Sequence, residues 1–530
     1  MPVTSTDTYN VTDEVFRKVK EEGWLDRPAL YFRDSVWTYA QLLRCINQVA
    51  NGLETLGIEE ENRIVIISYD SPYFLSIMYG AMKRGAVPIP LNTNLPAEDY
   101  LYYLMDSRAK ILAVEQDIWN KLAPLLNNVP LALKWVLILP SSTQSSNVNV
   151  EGFGGPILFY QDWLARQSES SRSTRTRYDD PAFWLYSSGS TGRPKAAVHL
   201  QKDMMVCNTL YAQGILHITE EDRLFSASKL FFAYGLGNGS YFAFANGASV
   251  VLEPDKPEPL RIFQDLVRYR PTLFFGVPTL YNAMLRHPAS GQFDLQFLRA
   301  CVSAGEPLPQ EIYIRWQQRY GVEILDGIGS TEVLHIYISN RLGESKPGTT
   351  GQVVPGYEVR ILDADMNPVT PGTMGDLYVK GNSIAPYYWG QYHKTRMSMI
   401  GEWFKTGDKY FQDTDGNFVY CGRSDDMIKA GGIWVSPIEV ENVLLEHPSV
   451  VEAAVIGQAD ADGLEKPVAF VVIQPGIDPS PELTTELQQY VKLHLAHYKY
   501  PRQIHFVSEL PKTASGKIQR FRLREGSLLS

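Results

Sequence analysis

The chain has 530 residues, 44% of them hydrophobic, 20% charged and 12% aromatic. That length exceeds one ordinary domain, and the composition excludes a disordered chain. With 49 Lys and Arg against 59 Asp and Glu, a formal charge of −10 argues against nucleic acid as a partner, since such binding rests on basic residues facing phosphates.

In chain order, residues 63–91, RIVIISYDSPYFLSIMYGAMKRGAVPIPL, read as strand, helix and strand. The β-branched run at 64–67 suits a strand buried on both faces. Ser71 and Pro72 supply an N-cap and first-turn residue; Phe74, Ile77, Met78 and Ala81 repeat at three and four as one buried stripe. Gly85 is expected to end the helix. Further strands are expected at AKILAV, KWVLIL, ASVVLE, PTLFFGV and LRACVSA, with helices at PLRIFQDLVRY, PTLYNAMLRH and PLPQEIYIRWQQRY. Such alternation predicts α/β layers around mainly parallel sheets. The serine-rich stretches at 141–155 and 166–180 are expected to be solvated loops.

Past about residue 370, GDLYVKG and GNFVYCGR suggest short antiparallel strands. After GRSDD a compact α+β pattern begins, so the domain boundary is placed between 424 and 425. The polar start, MPVTSTDTYN, contains no apolar signal core, and no run of about 18 apolar residues is present for a membrane span. Cys45, Cys207, Cys301 and Cys421 are scattered without a C-x-x-C pair, which fits free thiols and a cytoplasmic setting.

The stretch YSSGSTGRPKAAVHL, residues 186–200, is the first with evident chemistry. It lacks the G-x-x-x-x-G-K-[ST] spacing of a Walker loop and the G-x-S-x-G of a hydrolase elbow. It nevertheless offers closely spaced backbone N–H groups, hydroxyls from Ser187, Ser188, Ser190 and Thr191, wrapping at Gly189 and Gly192, and the cations Arg193 and Lys195. Those features suit an anion.

Downstream, DGIGSTE (326–332), WFKTGD (403–408), YCGRSDDMIK (420–429) and LPKTASGKIQR (510–520) follow in order. Together with the glycine–serine loop they resemble the acyl- and aryl-CoA synthetases of the adenylate-forming superfamily, over nearly the whole chain. The resemblance implies an α/β fold: a large N-terminal domain (1–424) of layered α/β subdomains plus a small β-barrel-like part, and a mobile C-terminal α+β domain (425–530). It implies attack of a carboxylate on the α-phosphate of ATP, loss of pyrophosphate, and capture of the acyl group by the thiol of CoA.

Residue by residue, the resemblance makes 188–192 and Lys195 the phosphate loop. Lys517 becomes the catalytic cation bridging carboxylate and α-phosphate, and such positive charge is what two approaching anions require. Glu332 becomes the Mg²⁺ ligand, with Thr191 assisting, and Thr331 an α-phosphate contact. Gly305, Glu306 and Asp326 fall on the adenine side; Asp408 and Arg423 take the ribose. Asp425 is the hinge, and Lys429, Gly431 and Gly432 line the thiol's passage. Two positions depart from the family pattern: Ala196 stands where glycine is usual, and Ile328 where many relatives stack an aromatic on adenine.

KLFFAYGLGNG (229–239) and DGIGSTEVLHIYISN (326–340) both resemble the benzoate-CoA ligase subgroup. By that resemblance Ala233, Tyr234, Gly235, Gly329 and His335 shape a slot for a small aromatic carboxylic acid. A hydrophobic pocket separates ligands differing by one small substituent by only about 1–3 kcal/mol, so "benzoate-like" is the resolution of this reading. The alternatives are an adenylating enzyme that loads a carrier-protein pantetheine, a luciferase-like oxidative use of the adenylate, and a noncatalytic acyl- or nucleotide-binding member of the fold. A homodimer is left open.

Overall fold

The computed structural model describes residues 8–127, 129–140, 153–189, 192–430, 433–460, 465–512 and 518–524, with backbone alone at 188, 189, 192 and 433. Five parallel strands lie in the order Val87–Pro90, Arg63–Ile67, Ile111–Glu115, Trp135–Leu139, Ile157–Phe159. Ile64 to Ile67 are fully buried, as their unbroken apolar run requires.

The following helix, Pro72–Lys83, starts where expected: Ser71 Oγ accepts the Phe74 N–H and Pro72 holds the first turn. Arg84 caps it and Gly85 follows at φ +77°. The expected single stripe understates its burial. Every residue except Tyr73 is buried, because helices Tyr39–Thr55 and Val11–Val15 pack against it.

The second sheet has the order Gln352–Val353, Ile336–Ser339, Ile324–Gly329, Ala300–Ser303, Leu273–Gly276, Arg223–Ser226, Ser249–Leu252, Pro28–Phe32, Ser35–Thr38. Its interior is parallel, and antiparallel pairing is confined to the outer strands. Segment 166–180 is mostly exposed, as a loop should be, yet it is tied down. Thr174 N–H bonds the Lys83 carbonyl and Thr176 accepts from Tyr9 N–H.

Beyond these layers an antiparallel sheet sets Glu358–Leu362 beside Gly375–Lys380, then Trp403–Gln412, which also pairs with Met399–Ile400 and Phe418–Arg423. The chain then builds an α+β body: strands Val450–Ala459, Glu465–Ile473 and Gln503–Phe506 with helices Pro437–Glu446 and Pro481–His494. It has its own apolar core, centred on Val440, Leu444, Val455, Ala469 and Leu487. No helix among the described residues is long and apolar enough to cross a membrane. All four cysteines are free; Cys207, Cys301 and Cys421 are buried. Burial pushes the Cys207 and Cys421 thiols up to about 12 and raises those of Cys45 and Cys301 as well.

Beneath the segment that begins at Lys229, Asp70 is 3% exposed and one of its oxygens accepts the Leu230 N–H at 2.9 Å. Burial raises its carboxyl from 3.8 to about 6, against the opposing charge of Lys229. A raised carboxyl favours the folded state only while protonated, so this stability is present below the unfolded pKa and lost as pH rises through about 6. Asp70→Asn keeps an acceptor for Leu230 and removes the buried charge. We expect it to stabilise the protein at pH 8 by about 2–3 kcal/mol, with little gain at pH 4. Thermal unfolding midpoints at the two pH values check this; equal shifts at both would refute it.

Candidate active site

The phosphate-loop stretch is a β-hairpin, Pro181–Gly189 paired with Gly192–Leu200. Its tip residues Ser190 and Thr191 lie outside the described residues, as does the side chain of Ser188. Lys195 follows on the outgoing strand. Its Nζ lies 2.7 Å from Glu332 Oε1 and donates to the Tyr388 hydroxyl at 2.8 Å. Tyr388 in turn donates to the same Glu332 oxygen at 2.8 Å. Glu332 is 6% exposed. Burial alone would raise its pKa, but the charge and hydrogen bond of Lys195, with the Tyr388 hydroxyl, hold it below the ordinary carboxylate value. It is therefore a buried, ionised carboxylate already matched by a cation.

Tyr388 escaped the sequence reading. It is 2% exposed and sits on a strap laid against the strand Gly192–Leu200: Ala197 bridges to Tyr388, and Trp389 N–H bonds the Ala196 carbonyl at 2.9 Å. Trp389 packs against Trp184 with ring centres 4.6 Å apart and the planes tilted by 33°. The same strap donates Ala385 N–H to the Glu332 carbonyl at 2.8 Å. Ala196, unusual by family pattern, is buried in this aromatic packing. The sequence signal was only an aromatic doublet and Trp in PYYWG, which periodicity cannot assign.

A second charge cluster comes from the antiparallel sheet. Asp408 and Arg423 are direct cross-strand partners, and Arg423 Nη1 donates to Asp408 Oδ1 at 3.1 Å and to the Thr406 carbonyl at 3.0 Å. Gly407 has φ +80°, and a Cβ there would stand 2.7 Å from Arg423 Nη2. Only glycine lets the guanidinium lie across this strand. The two clusters adjoin at Tyr337, whose buried hydroxyl makes no hydrogen bond among the described residues. Burial first, then the charges of Asp408 and Glu332 against that of Arg423, raise its pKa.

The adenine-side candidates sit on neighbouring parallel strands, with Ser303 opposite Asp326 in register. Gly305 and Glu306 follow immediately, Gly305 at φ +95°. Burial holds the Asp326 carboxyl well above its usual range, and its Oδ1 has no hydrogen-bond partner among the described residues. Ile328 packs against the core and pairs with Ile338. Thr331, half-buried, stands beside Glu332.

The aromatic-acid candidates gather at the other end of the Asp326–His335 segment. Ala233, Tyr234 and Gly235 lie on a short helix, Ala233–Leu236, that continues directly into a π-helical turn, Gly237–Tyr241. The Tyr234 hydroxyl donates to the Val302 and Gly276 carbonyls at 3.1 and 3.4 Å. His335 is 2% exposed and ringed by Phe242, Tyr211 and Tyr234, with ring centres at 4.4, 5.2 and 5.7 Å. Its Nε2 faces Asn238 Oδ1 at 3.2 Å. Burial pushes its pKa down to about 3, so the imidazole is neutral. The absent side chain of Gly329 makes room for the chain itself: a Cβ there would meet the His335 carbonyl oxygen at 2.7 Å.

On the C-terminal body, Lys429 is exposed on the strand Ile428–Ala430, its N–H bonding Glu465 and its Nζ 5.7 Å from the Trp434 ring centre. Gly431, Gly432 and Lys517 lie outside the described residues. Asp425 lies 3.7 Å from Arg423 Nε. Its neighbour Asp426 pairs with Arg524 and Arg520, and Arg520 Nη2 also donates to both oxygens of Glu441 at 2.8 Å. Arg520 of the lysine motif is thus an anchor, a role the sequence did not disclose.

Layered α/β sheets, an antiparallel sheet carrying the Asp408–Arg423 pair, and an α+β body with a core of its own are the architecture of an AMP-forming ligase. The chain belongs to the AMP-binding enzyme family of the adenylate-forming superfamily, within its benzoate-CoA ligase subgroup: the family's model matches residues 16–389, and that of the AMP-binding enzyme C-terminal domain matches residues 439–517. It is 45% identical to the benzoate–CoA ligase of Thauera aromatica, over 98% of this chain and 96% of that protein. Its fold is similar to a benzoate CoA ligase from Burkholderia xenovorans, with a TM-score of 0.89 and 41% identity over 97% and 100% of the two chains. It is also similar to the anthranilate CoA ligase AuaEII in complex with anthranoyl-AMP, with a TM-score of 0.92 and 38% identity over 98% of each chain.

Proposed function

We propose that this chain is an ATP-dependent aryl-CoA ligase. It joins benzoate or a benzoate-like acid to AMP with release of pyrophosphate, then passes the acyl group to the thiol of CoA with release of AMP. The observation that carries this reading is the polarity of one segment. Within ten residues, Asp326–His335 presents an ionised carboxylate and a phosphate-side threonine, then a neutral imidazole among aromatic rings. Such a segment suits a ligand anionic at one end and flat and apolar at the other.

Each residue then has a distinct task. Lys195 neutralises phosphate charge with the loop at 188–192, Thr331 contacts the α-phosphate, and Lys517 bridges the two reacting oxyanions. Asp408 accepts from the ribose hydroxyls and Arg423 steadies it. Asp326 and the backbone at Gly305 and Glu306 hold adenine; Ala233, Tyr234, Gly235 and His335 hold the ring, with Gly329 letting the backbone close up against His335. Among the described residues no cluster of three or more His, Cys, Asp or Glu could hold a metal. A lone ionised Glu332 with an ammonium standing against it fits a Mg²⁺ bound chiefly by phosphate oxygens and water; Thr191 would assist. When bound, that ion supplies charge neutralisation.

We divide the chain at 424/425, with the C-terminal part turning about Asp425. The turn would withdraw Lys517 and bring Lys429, Gly431 and Gly432 up for the thiol, while shielding the adenylate from water. Unpaired cysteines and the use of ATP and CoA support a cytoplasmic location. The test is acid-dependent ATP–pyrophosphate exchange across aryl and aliphatic acids, followed by thioester detection with CoA. Exchange with benzoate-like acids and thioester formation on free CoA are expected. Exchange confined to aliphatic acids, or acyl transfer only to a carrier protein, would refute the assignment.

A further inference from the structure

The strand Gly192–Leu200 presents alternate residues on one face, and Lys195, Ala197 and His199 share that face. Lys195 reaches the Glu332 carboxylate, Ala197 packs in one apolar cluster with Ala385 and Tyr388 of the strap, and His199 reaches the next contact in the same row. Its Nε2 lies 2.8 Å from the Thr331 carbonyl oxygen. One strand face thus addresses two successive residues, Glu332 and Thr331.

His199 is fully buried, stacks on Phe183 with ring centres 5.1 Å apart, and has its Nδ1 2.9 Å from Asp203 Oδ2. Asp203, also fully buried, accepts the Leu200 N–H on that same oxygen. A peptide carbonyl can only accept, so Nε2 carries a hydrogen and donates it to Thr331. For both contacts to be hydrogen bonds a second hydrogen must lie between Nδ1 and Asp203 Oδ2, and burial, which raises the Asp203 carboxyl, favours its being held there; this contact fixes the ring's orientation from the far side. On the other side of the same loop, the Ala385 N–H holds the Glu332 carbonyl. The Thr331 carbonyl, which belongs to the Thr331–Glu332 peptide, and the Glu332 carbonyl that follows are therefore held from two different elements.

We propose that His199, oriented by Asp203, is a positioning residue that sets the Thr331–Glu332 peptide against the α-phosphate. The strand face acts as a ruler: His199 is its fixed end, and Lys195, free to exchange carboxylate for phosphate, is its adjustable end. This rests on the reading of Thr331 as an α-phosphate contact. Misplacing a catalytic group by about 1 Å costs roughly 100-fold in rate, and a peptide released from one grip moves by that order.

The test compares His199→Asn with His199→Gln. The shorter amide can meet Asp203 but cannot reach Thr331, whereas the longer one places a donor where Nε2 stood. For ATP–pyrophosphate exchange with benzoate, His199→Asn is expected to lose about 100-fold in kcat with KM for ATP changed by less than about threefold. His199→Gln should recover to within about tenfold of the parent. As a second measurement, made on the parent itself, an exchange-protected imidazole N–H proton resonance, assigned to His199 by its absence from the folded His199→Gln variant, should shift when ATP and benzoate are added. Equal losses in both variants, a loss carried by KM alone, or a resonance indifferent to ligand would overturn the proposal. Absence of aryl-dependent exchange in the parent would instead overturn the functional reading itself, and this proposal with it.

Discussion

Lys517→Ala is expected to lower acid-dependent ATP–pyrophosphate exchange by about 100- to 1,000-fold while sparing thioester formation from supplied benzoyl-adenylate. The first half-reaction brings a carboxylate against a phosphate, and removing one preorganised donor from such a centre costs about that factor. In the second, a thiol attacks an already activated carbonyl, and the proposed domain turn has taken the lysine elsewhere. Arg520, three residues on, is fastened to Glu441 and Asp426. Exchange and thioester formation assayed separately on one preparation decide the matter. Equal impairment of both would defeat the division of labour between the two half-reactions.

Glu332→Gln is expected to cost about 100-fold or more in the same exchange assay, a factor typical of losing one electrostatic contact at developing charge. The amide nearly matches the carboxylate in shape, so the strap contact from Ala385 should survive. It cannot match the charge of Lys195, and it is a much poorer Mg²⁺ ligand. Calorimetric titration should show a weaker advantage of Mg·ATP over metal-free ATP in the variant than in the parent. Unchanged magnesium dependence would remove Glu332 from the metal site.

What was legible in the sequence was local. Ser71 and Pro72 announce a helix because a cap and a fixed φ act within one turn. Apolar runs such as 64–67 announce buried strands because a parallel sheet hides both faces. The motif order led to the family, and through it to Glu332, Asp408 and Arg423, which the structure brings into adjoining clusters. What stayed illegible depends on chain segments meeting from afar. Tyr388 meets a carboxylate 56 positions away and His199 a carbonyl 132 positions away, separations at which neither periodicity nor propensity carries information. The π-helical turn at Gly237–Tyr241 is illegible for a related reason: its extra residue is accommodated by packing around His335, not by any local preference.

The sheltered cysteines have a consequence for an enzyme that manufactures a reactive mixed anhydride. Any thiolate within reach would intercept the acyl group and leave the protein modifying itself. With Cys207, Cys301 and Cys421 buried, and with every cysteine thiol raised above its ordinary value, the chain's own sulfurs stay protonated and unreactive at neutral pH. Self-acylation at sulfur is thereby disfavoured, and the incoming thiol of the cosubstrate meets no ready thiolate rival in the chain.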